Sequence, residues 1–248
     1  MDVNIKTNVV LFGILEKSSS NYRKLSKKSL GVLLVKTDKE YSLPEYECKV
    51  PVDIENQSLL AIKNIGLKDV YVEQLYTFSK VGNDCLSINP TFLGLISKHQ
   101  MYEGLNDNCY WCELIIDENK DGYKCEIINE KDKFNFEVSK KLKEHTTDRY
   151  KFSEVDNGLC TKGVTVTLIS AFERLRNKIN YTDIVFNMMG ETFTLKELQQ
   201  VYETIENRQL LDAAFRRVIA DKVEETNQVL KGIGCRPSKI YRYKEKNI

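Results

Sequence analysis

The chain has 248 residues, 42% of them hydrophobic and 29% charged, with a formal net charge of +1. That length accommodates two compact domains, and the composition excludes a fibrous or wholly disordered chain. No apolar run approaches the roughly 20 residues that span a bilayer, so no membrane partner is expected. The opening MDVNIKTNVVLFGIL lacks the basic start, long apolar middle and small-residue cleavage site of a secretory signal. Seven cysteines without regular spacing read as free thiols in a reducing cytoplasm.

Asn8–Leu15 and Leu30–Val35 are apolar strand candidates, separated by the polar stretch Glu16–Ser29 as an exposed loop. Val70–Phe78 and Phe92–Ser97 read as further strands. Cys109–Ile116 and Tyr123–Ile128 make a hairpin joined by Asp117–Gly122, whose Asp-Gly end is turn chemistry. Asp117, Asn119 and Asp121 imitate the start of a calcium loop, but Ile128 stands where the bidentate glutamate is required. Cys109 and Cys112 have metal spacing, yet no second pair or nearby histidine completes a tetrahedral site, so they read as ordinary strand residues. Neither His99 nor His145 sits in a nucleophile motif. Lys133–Lys143 is a weaker, polar candidate, with Lys140–Lys143 as a solvated face. Val166–Lys178 is an amphipathic helix, with Leu168, Ile169, Phe172 and Leu175 inside and Arg174, Arg176 and Lys178 outside. Met188–Met189 reads as core packing at a domain junction.

The last quarter carries the strongest signal. Thr194 and Glu197 spell a capping box, T-x-x-E, at the head of a helix that buries Leu195, Leu198, Val201, Tyr202 and Ile205. Asn207–Leu211 is a break. Asp212 can cap a second helix that buries Phe215, Val218 and Ile219 and exposes Arg216 and Arg217. A polar segment follows, then Gly232 and Gly234 for a tight turn, then a closing strand Ser238–Tyr243 of two-residue period. From Lys231 onward six bases, Lys231, Arg236, Lys239, Arg242, Lys244 and Lys246, face the single acid Glu245, so the rest of the chain is net acidic. A helix pair with a basic hinged strand is the pattern of a winged helix, and the charge split suits phosphate contact.

LLVK (Leu33–Lys36), SLP (Ser42–Pro44) and IGLKDVYVEQLYTF (Ile65–Phe78), followed by FTLKELQQVYE, FRR and CRPSKIYRY, resemble the Nudix-related transcriptional regulators. The resemblance covers nearly the whole chain and implies an α+β fold. Residues 1–184 would be a Nudix-like α/β/α sandwich with a mixed sheet, and residues 185–248 the winged helix. A working Nudix box needs clustered glutamates to hold divalent cations. Aligned on Gly66 and Leu67, its positions hold Leu59, Leu60, Lys63 and Asn64, and Leu59–Asn64 contains no carboxylate. No hydrolysis, no metal site and no cofactor are therefore expected. The resemblance also implies a small effector, such as ADP-ribose, another NAD metabolite or a sugar derivative, with Lys36, Glu73, Gln74 and Tyr76 at cleft-like positions.

The sequence thus leads to an effector-responsive DNA-binding regulator. Thr194, Lys196 and Gln199 would position the backbone, Arg216 and Arg217 would reach phosphates or base edges, and Arg236, Lys239 and Arg242 would carry the wing. One winged helix offers few contacts, so a homodimer on a symmetric operator is expected. Two alternatives remain open: a pyrophosphatase with unorthodox ligands Glu45, Glu47, Asp53 and Glu55, and a winged helix that binds protein.

Overall fold

Both faces of the central strands are apolar, and both are covered. The computed structural model describes residues 2–17, 26–48, 52–82, 85–143, 150–230 and 237–244. Its main sheet is built from β1 (Asp2–Lys17), β2 (Lys27–Lys36), β5 (Tyr71–Val81), β6 (Cys85–Leu95), β7 (Cys109–Asn119), β8 (Gly122–Ile128), β9 (Lys133–Leu142) and β10 (Tyr150–Asp156). The order is β10-β9-β8-β7-β2-β1-β6-β5, with short β3 (Tyr41–Ser42) and β4 (Glu45–Glu47) attached to β2 and β1. β1 runs antiparallel to β2 and parallel to β6, so the sheet is mixed.

Successive side chains of a strand point to opposite faces. Val9 and Leu11 therefore join Leu33, Phe92 and Trp111 beneath helix α1 (Ile54–Asn64), while Val10 and Phe12 join Val32, Leu34 and Leu93 beneath helix α2 (Val164–Lys178). Cys109 and Cys112 fall on opposite faces of β7, so the two sulfurs cannot converge on one ion. Burial pushes the Cys109 and Cys112 thiols up to about 11. The turn after β7 is the expected one: the Asn119 side-chain oxygen accepts from the amides of Asp121 and Gly122 at 2.8 and 3.0 Å.

The apolar cluster around α2 continues without a break through a short 3-10 helix (Ile184–Met188) into the C-terminal elements. These are α3 (Leu195–Glu206), α4 (Asp212–Ile219) and the antiparallel pair β11 (Val223–Leu230) and β12 (Ser238–Tyr243). The capping box forms as expected: the Glu197 amide donates to Thr194 Oγ1 at 3.2 Å, and the Thr194 amide donates to the Glu197 carboxylate at 2.8 Å. Asn207 ends α3 in the left-handed region at φ 53°. Phe193 and Tyr241 exchange two backbone hydrogen bonds, which ties the wing to the chain entering α3.

The structure corrects several expectations. The polar segment after α4 is a strand, β11, paired with β12. Val218 is 66% exposed, leaving Phe215 and Ile219 as the buried residues of α4. Leu211 occupies the N-cap position of α4, and Asp212 is its first helical residue and makes no capping bond. Arg176 pairs with Glu118 and Glu173, Lys178 with Glu73 at 2.6 Å, and the Arg174 guanidinium lies 5.0 Å from the Tyr76 ring centre; all three reach protein rather than solvent alone. Lys140 likewise pairs with Glu118 and lies over the Tyr123 and Tyr150 rings. Gly232 and Gly234 lie outside the described residues.

A charged knot sits where the front sheet meets the linker and α3. Glu16 accepts from both Lys28 and Lys98, and the Lys28 side chain is only 6% exposed. Glu16, Lys28 and Lys98 share a cavity of about 180 Å³ with Met188, Phe193 and Glu197. Burial alone would raise the Glu16 carboxyl, but its two lysine partners outweigh that and hold it at about 2 instead of 4.5. A carboxylate whose folded value is depressed stabilises the fold above its unfolded value, and that contribution fades as pH falls from about 4.5 through 2. Acid titration of thermal stability will therefore show Glu16→Gln flattening the loss in this window. Parallel curves for the variant and the parent would refute the role of the knot.

Candidate nucleic-acid interface

α4 is anchored by Phe215 and Ile219, and its remaining six residues are exposed. The Phe215 ring meets Tyr202 of α3 edge-on, with centres 5.3 Å apart. Arg216 and Arg217 are exposed and make no ion pair with another described residue. An eight-residue helix with two inward side chains and two exposed guanidinium groups outward is shaped for a surface contact.

The residues expected to orient α4 divide into two groups. Lys196 is exposed at the head of α3, with Nζ 3.5 Å from Asp212 Oδ1. Thr194 and Gln199 are corrections, being 5% and 3% exposed. Thr194 is held within its capping box. Gln199 Nε2 donates to the Leu210 carbonyl and to Asp212 Oδ1, both at 2.9 Å, and to Glu203 Oε1 at 3.0 Å. Gln199 is thus a clamp between α3, the turn and α4, inside the domain rather than on its surface. The Gln199 hydrogen bond, followed by the Lys196 charge, holds the Asp212 carboxyl below its ordinary value.

On the wing, Glu224 stands opposite Arg242 in the β11–β12 register and forms an ion pair with it. Lys239 Nζ lies 2.8 Å from Glu225. Both wing cations that the structure describes therefore have an acidic neighbour on the adjacent strand. Arg236 lies outside the described residues.

The four effector candidates all have neighbours within the protein. Lys36 pairs with Asp132, which also accepts from the buried Tyr41 hydroxyl at 2.6 Å, and the Lys36 ammonium lies 5.1 Å from the Tyr41 ring centre. Glu73 receives the Tyr71 hydroxyl at 2.8 Å and Lys178 at 2.6 Å. Tyr76 is covered by Arg174. Gln74 is exposed, with its amide 3.4 Å from Thr77 Oγ1. Burial, followed by the Glu73 carboxylate, pushes the Tyr71 hydroxyl up to about 12.

Leu59, Leu60, Lys63 and Asn64, the positions expected to correspond to a Nudix box, lie on α1. Asp53 caps the helix and Gly66 follows it at φ 89°, where an added Cβ would stand 1.8 Å from the Gly104 carbonyl. The exposed turns of α1 carry Glu55, Leu59 and Lys63 one above another, with Leu60 half-buried and Asn64 exposed. Of the unorthodox ligands, Glu45 pairs with Lys6 at 2.7 Å and Asp53 is occupied as the cap. Among the described residues no three His, Cys, Asp or Glu side chains are grouped to hold a metal ion. No helix among them is long and apolar enough to cross a membrane.

A cleft of about 1130 Å³ lies between the two halves of the chain. Tyr71, Ser97 and Lys178 form one wall, and Asp183, Phe186, Arg242 and Tyr243 of the linker and wing form the other. Tyr243 packs against Phe186 with ring centres 4.3 Å apart and donates to Asp183 at 3.1 Å. Sequence reading missed this wall, because Tyr243 and Asp183 are 60 residues apart and nothing local links them.

A mixed sheet with helices on both faces, continued into a capped helix pair and a two-stranded wing, defines a Nudix-like domain joined to a winged helix. Residues 185–243 match the family model of the NrtR DNA-binding winged helix domain. A 78-residue stretch is 45% identical to the ADPR responsive transcriptional repressor NtrR of Acinetobacter baylyi, covering 31% of each chain. The matched stretch thus spans about a third of that relative's length. The NrtR of Shewanella oneidensis, solved in complex with a 27mer DNA, superposes with a TM-score of 0.61 at 18% identity, covering 97% of this chain and 93% of that one. A MutT/nudix family protein from Enterococcus faecalis gives a TM-score of 0.67 at 18% identity, over 98% of this chain and 87% of that one. At this level of identity the two superpositions establish the shared fold.

Proposed function

We propose that the chain is an effector-responsive transcriptional regulator that grips double-stranded DNA through α4 and its wing. The observation that carries this is α4 itself, exposed on all but two residues and bearing Arg216 and Arg217 without intramolecular ion pairs among the described residues. The NrtR-type winged helix match and the repressor name of the Acinetobacter relative support it. Lys196, Arg242 and Lys239 assist at the phosphates, and Arg236, which lies outside the described residues, is assigned the same role from its charge. Two copies bind a symmetric operator, since one such module contacts few phosphates.

In this reading residues 1–184 sense a small molecule and residues 185–248 hold DNA, in the cytoplasm. Lys36, with the half-exposed Tyr110 ring and Lys131 nearby, offers cations and an aromatic face to a nucleotide- or sugar-like effector. The shared cleft then transmits the change, because Tyr71 and Lys178 face Arg242 and Tyr243 across it. The chain acts without pyrophosphate hydrolysis, given the missing carboxylates at Leu59–Asn64. Titrating salt against binding to the DNA upstream of its own gene tests the first claim: log affinity will fall linearly with log salt. Adding ADP-ribose to the same assay tests the second, and magnesium-dependent turnover of ADP-ribose would overturn the third.

The wing pairs carry a prediction of their own. Glu224→Gln with Glu225→Gln will remove the acidic neighbours of Arg242 and Lys239 on β11, and with them two charges that repel phosphates. Affinity for DNA of arbitrary sequence will rise by about tenfold at moderate salt, with a steeper salt slope. Filter binding with a scrambled duplex reads this, and an unchanged affinity would show that the wing stays off the duplex.

A further inference from the structure

We propose that Arg217 is the base-reading residue of α4, taking a guanine edge in the major groove, while Arg216 holds the phosphate backbone beside it. This rests on the reading above, that α4 is laid into a duplex.

The division follows from where the helix is anchored. With 3.6 residues per turn, Arg217 stands about 180° from the midpoint of the buried pair Phe215 and Ile219, and Arg216 only about 80° from it. A residue directly opposite the anchoring face meets the floor of a groove that receives the helix. A residue on the flank meets the rim, where the phosphates run. The neighbours differ in the same sense. One turn before Arg217 lie Ala213 and Ala214, exposed and no larger than a methyl group, so nothing on that face holds the helix away from the bases or competes for a base edge. Val218 beside them is exposed and apolar. One turn before Arg216 lies Asp212, which accepts from Gln199 and sits beside Lys196, so that flank is a mixed-charge border continuous with α3.

The chemistry names the target. A guanidinium fork matches the O6 and N7 acceptors of guanine, and a methyl side chain matches the C5-methyl of thymine. Each half-site should therefore contain a guanine with a thymine adjacent to it. An eight-residue helix is about 12 Å long and spans only a few base pairs, so one arginine at its outward centre sets one strongly preferred column.

The experiment is selection from a randomised duplex library with the full chain, followed by salt-dependent affinity measurements on the selected sequence. Wild type, Arg217→Ala, Arg217→Lys and Arg216→Ala are compared after thermal melts confirm equal folding. Arg217→Ala is expected to lose one guanine column per half-site, with discrimination there falling roughly 5- to 150-fold. Arg217→Lys should lose that column too while keeping affinity for arbitrary DNA, since lysine retains the charge but not the fork. Arg216→Ala should keep every column, weaken binding to all sequences alike and lower the salt slope by about 0.9. A guanine column that survives Arg217→Ala or Arg217→Lys overturns the assignment, as does a column lost in Arg216→Ala. Wild type enriching no sequence while still binding DNA overturns the base-reading role alone. Wild type that binds no duplex overturns the DNA-binding reading with it.

Discussion

Replacing Arg216 and Arg217 together with alanine will lower affinity for the operator on the order of a thousandfold, through loss of one base contact and one phosphate contact. Thermal stability will stay nearly constant. Both side chains are exposed, neither pairs with another described residue, and alanine is the best helix former, so the folded chain loses little. The two readouts separate binding from folding. A gel-shift titration that leaves affinity within a few-fold of wild type would show that α4 is not the contacting helix. A large drop in melting temperature would show that the arginines have structural partners.

Phe215→Ala will have the opposite profile. The side chain is 6% exposed and packs edge-on against Tyr202, and with Ile219 it forms the apolar anchor of α4, beside the polar contacts of Asp212 with Gln199 and Lys196. Removing a buried phenylalanine costs about 3–5 kcal/mol, part of it from the cavity left behind. Because α4 has only two inward side chains, the loss should concentrate there, and hydrogen exchange in Asp212–Ile219 should rise toward that of an unfolded segment. DNA binding will fall as a consequence even though both arginines remain. Denaturant unfolding of the full chain reads the stability change, and a midpoint equal to wild type would mean that α4 is held by something other than this contact.

Legibility in the sequence followed how local each interaction is. α3 could be read because its signals lie within one turn: Thr194 and Glu197 satisfy each other's backbone, and its apolar residues repeat at helical spacing. The central strands could be read because their runs are apolar on both faces, as in Asn8–Leu15. β11 was hidden because this wing strand buries only Val223 and carries glutamates where a core strand carries valine or isoleucine. α1 was hidden because its periodicity is inverted: Gln57 and Ser58 are buried, while Ile54 and Leu59 are exposed.

The candidate site divides along the same line. Lys196, Arg216 and Arg217 are exposed, as their residue types and spacing implied. Gln199 is polar and at a plausible surface position by sequence, yet the turn folds back so that Leu210 and Asp212 meet its amide. Glu73 and Lys178 are 105 residues apart, and the sheet places one opposite the helix that carries the other. The amino-acid order by itself determined the helix pair, the cap of α3 and the cationic end, because hydrogen bonding within a turn and charge along a segment need no partner from elsewhere. Only the tertiary structure decided which polar side chains face water, which are locked as clamps, and where the front domain shares a wall with the wing. Those outcomes depend on which distant segments are brought within a few ångströms, and long-range packing, rather than local propensity, sets that proximity.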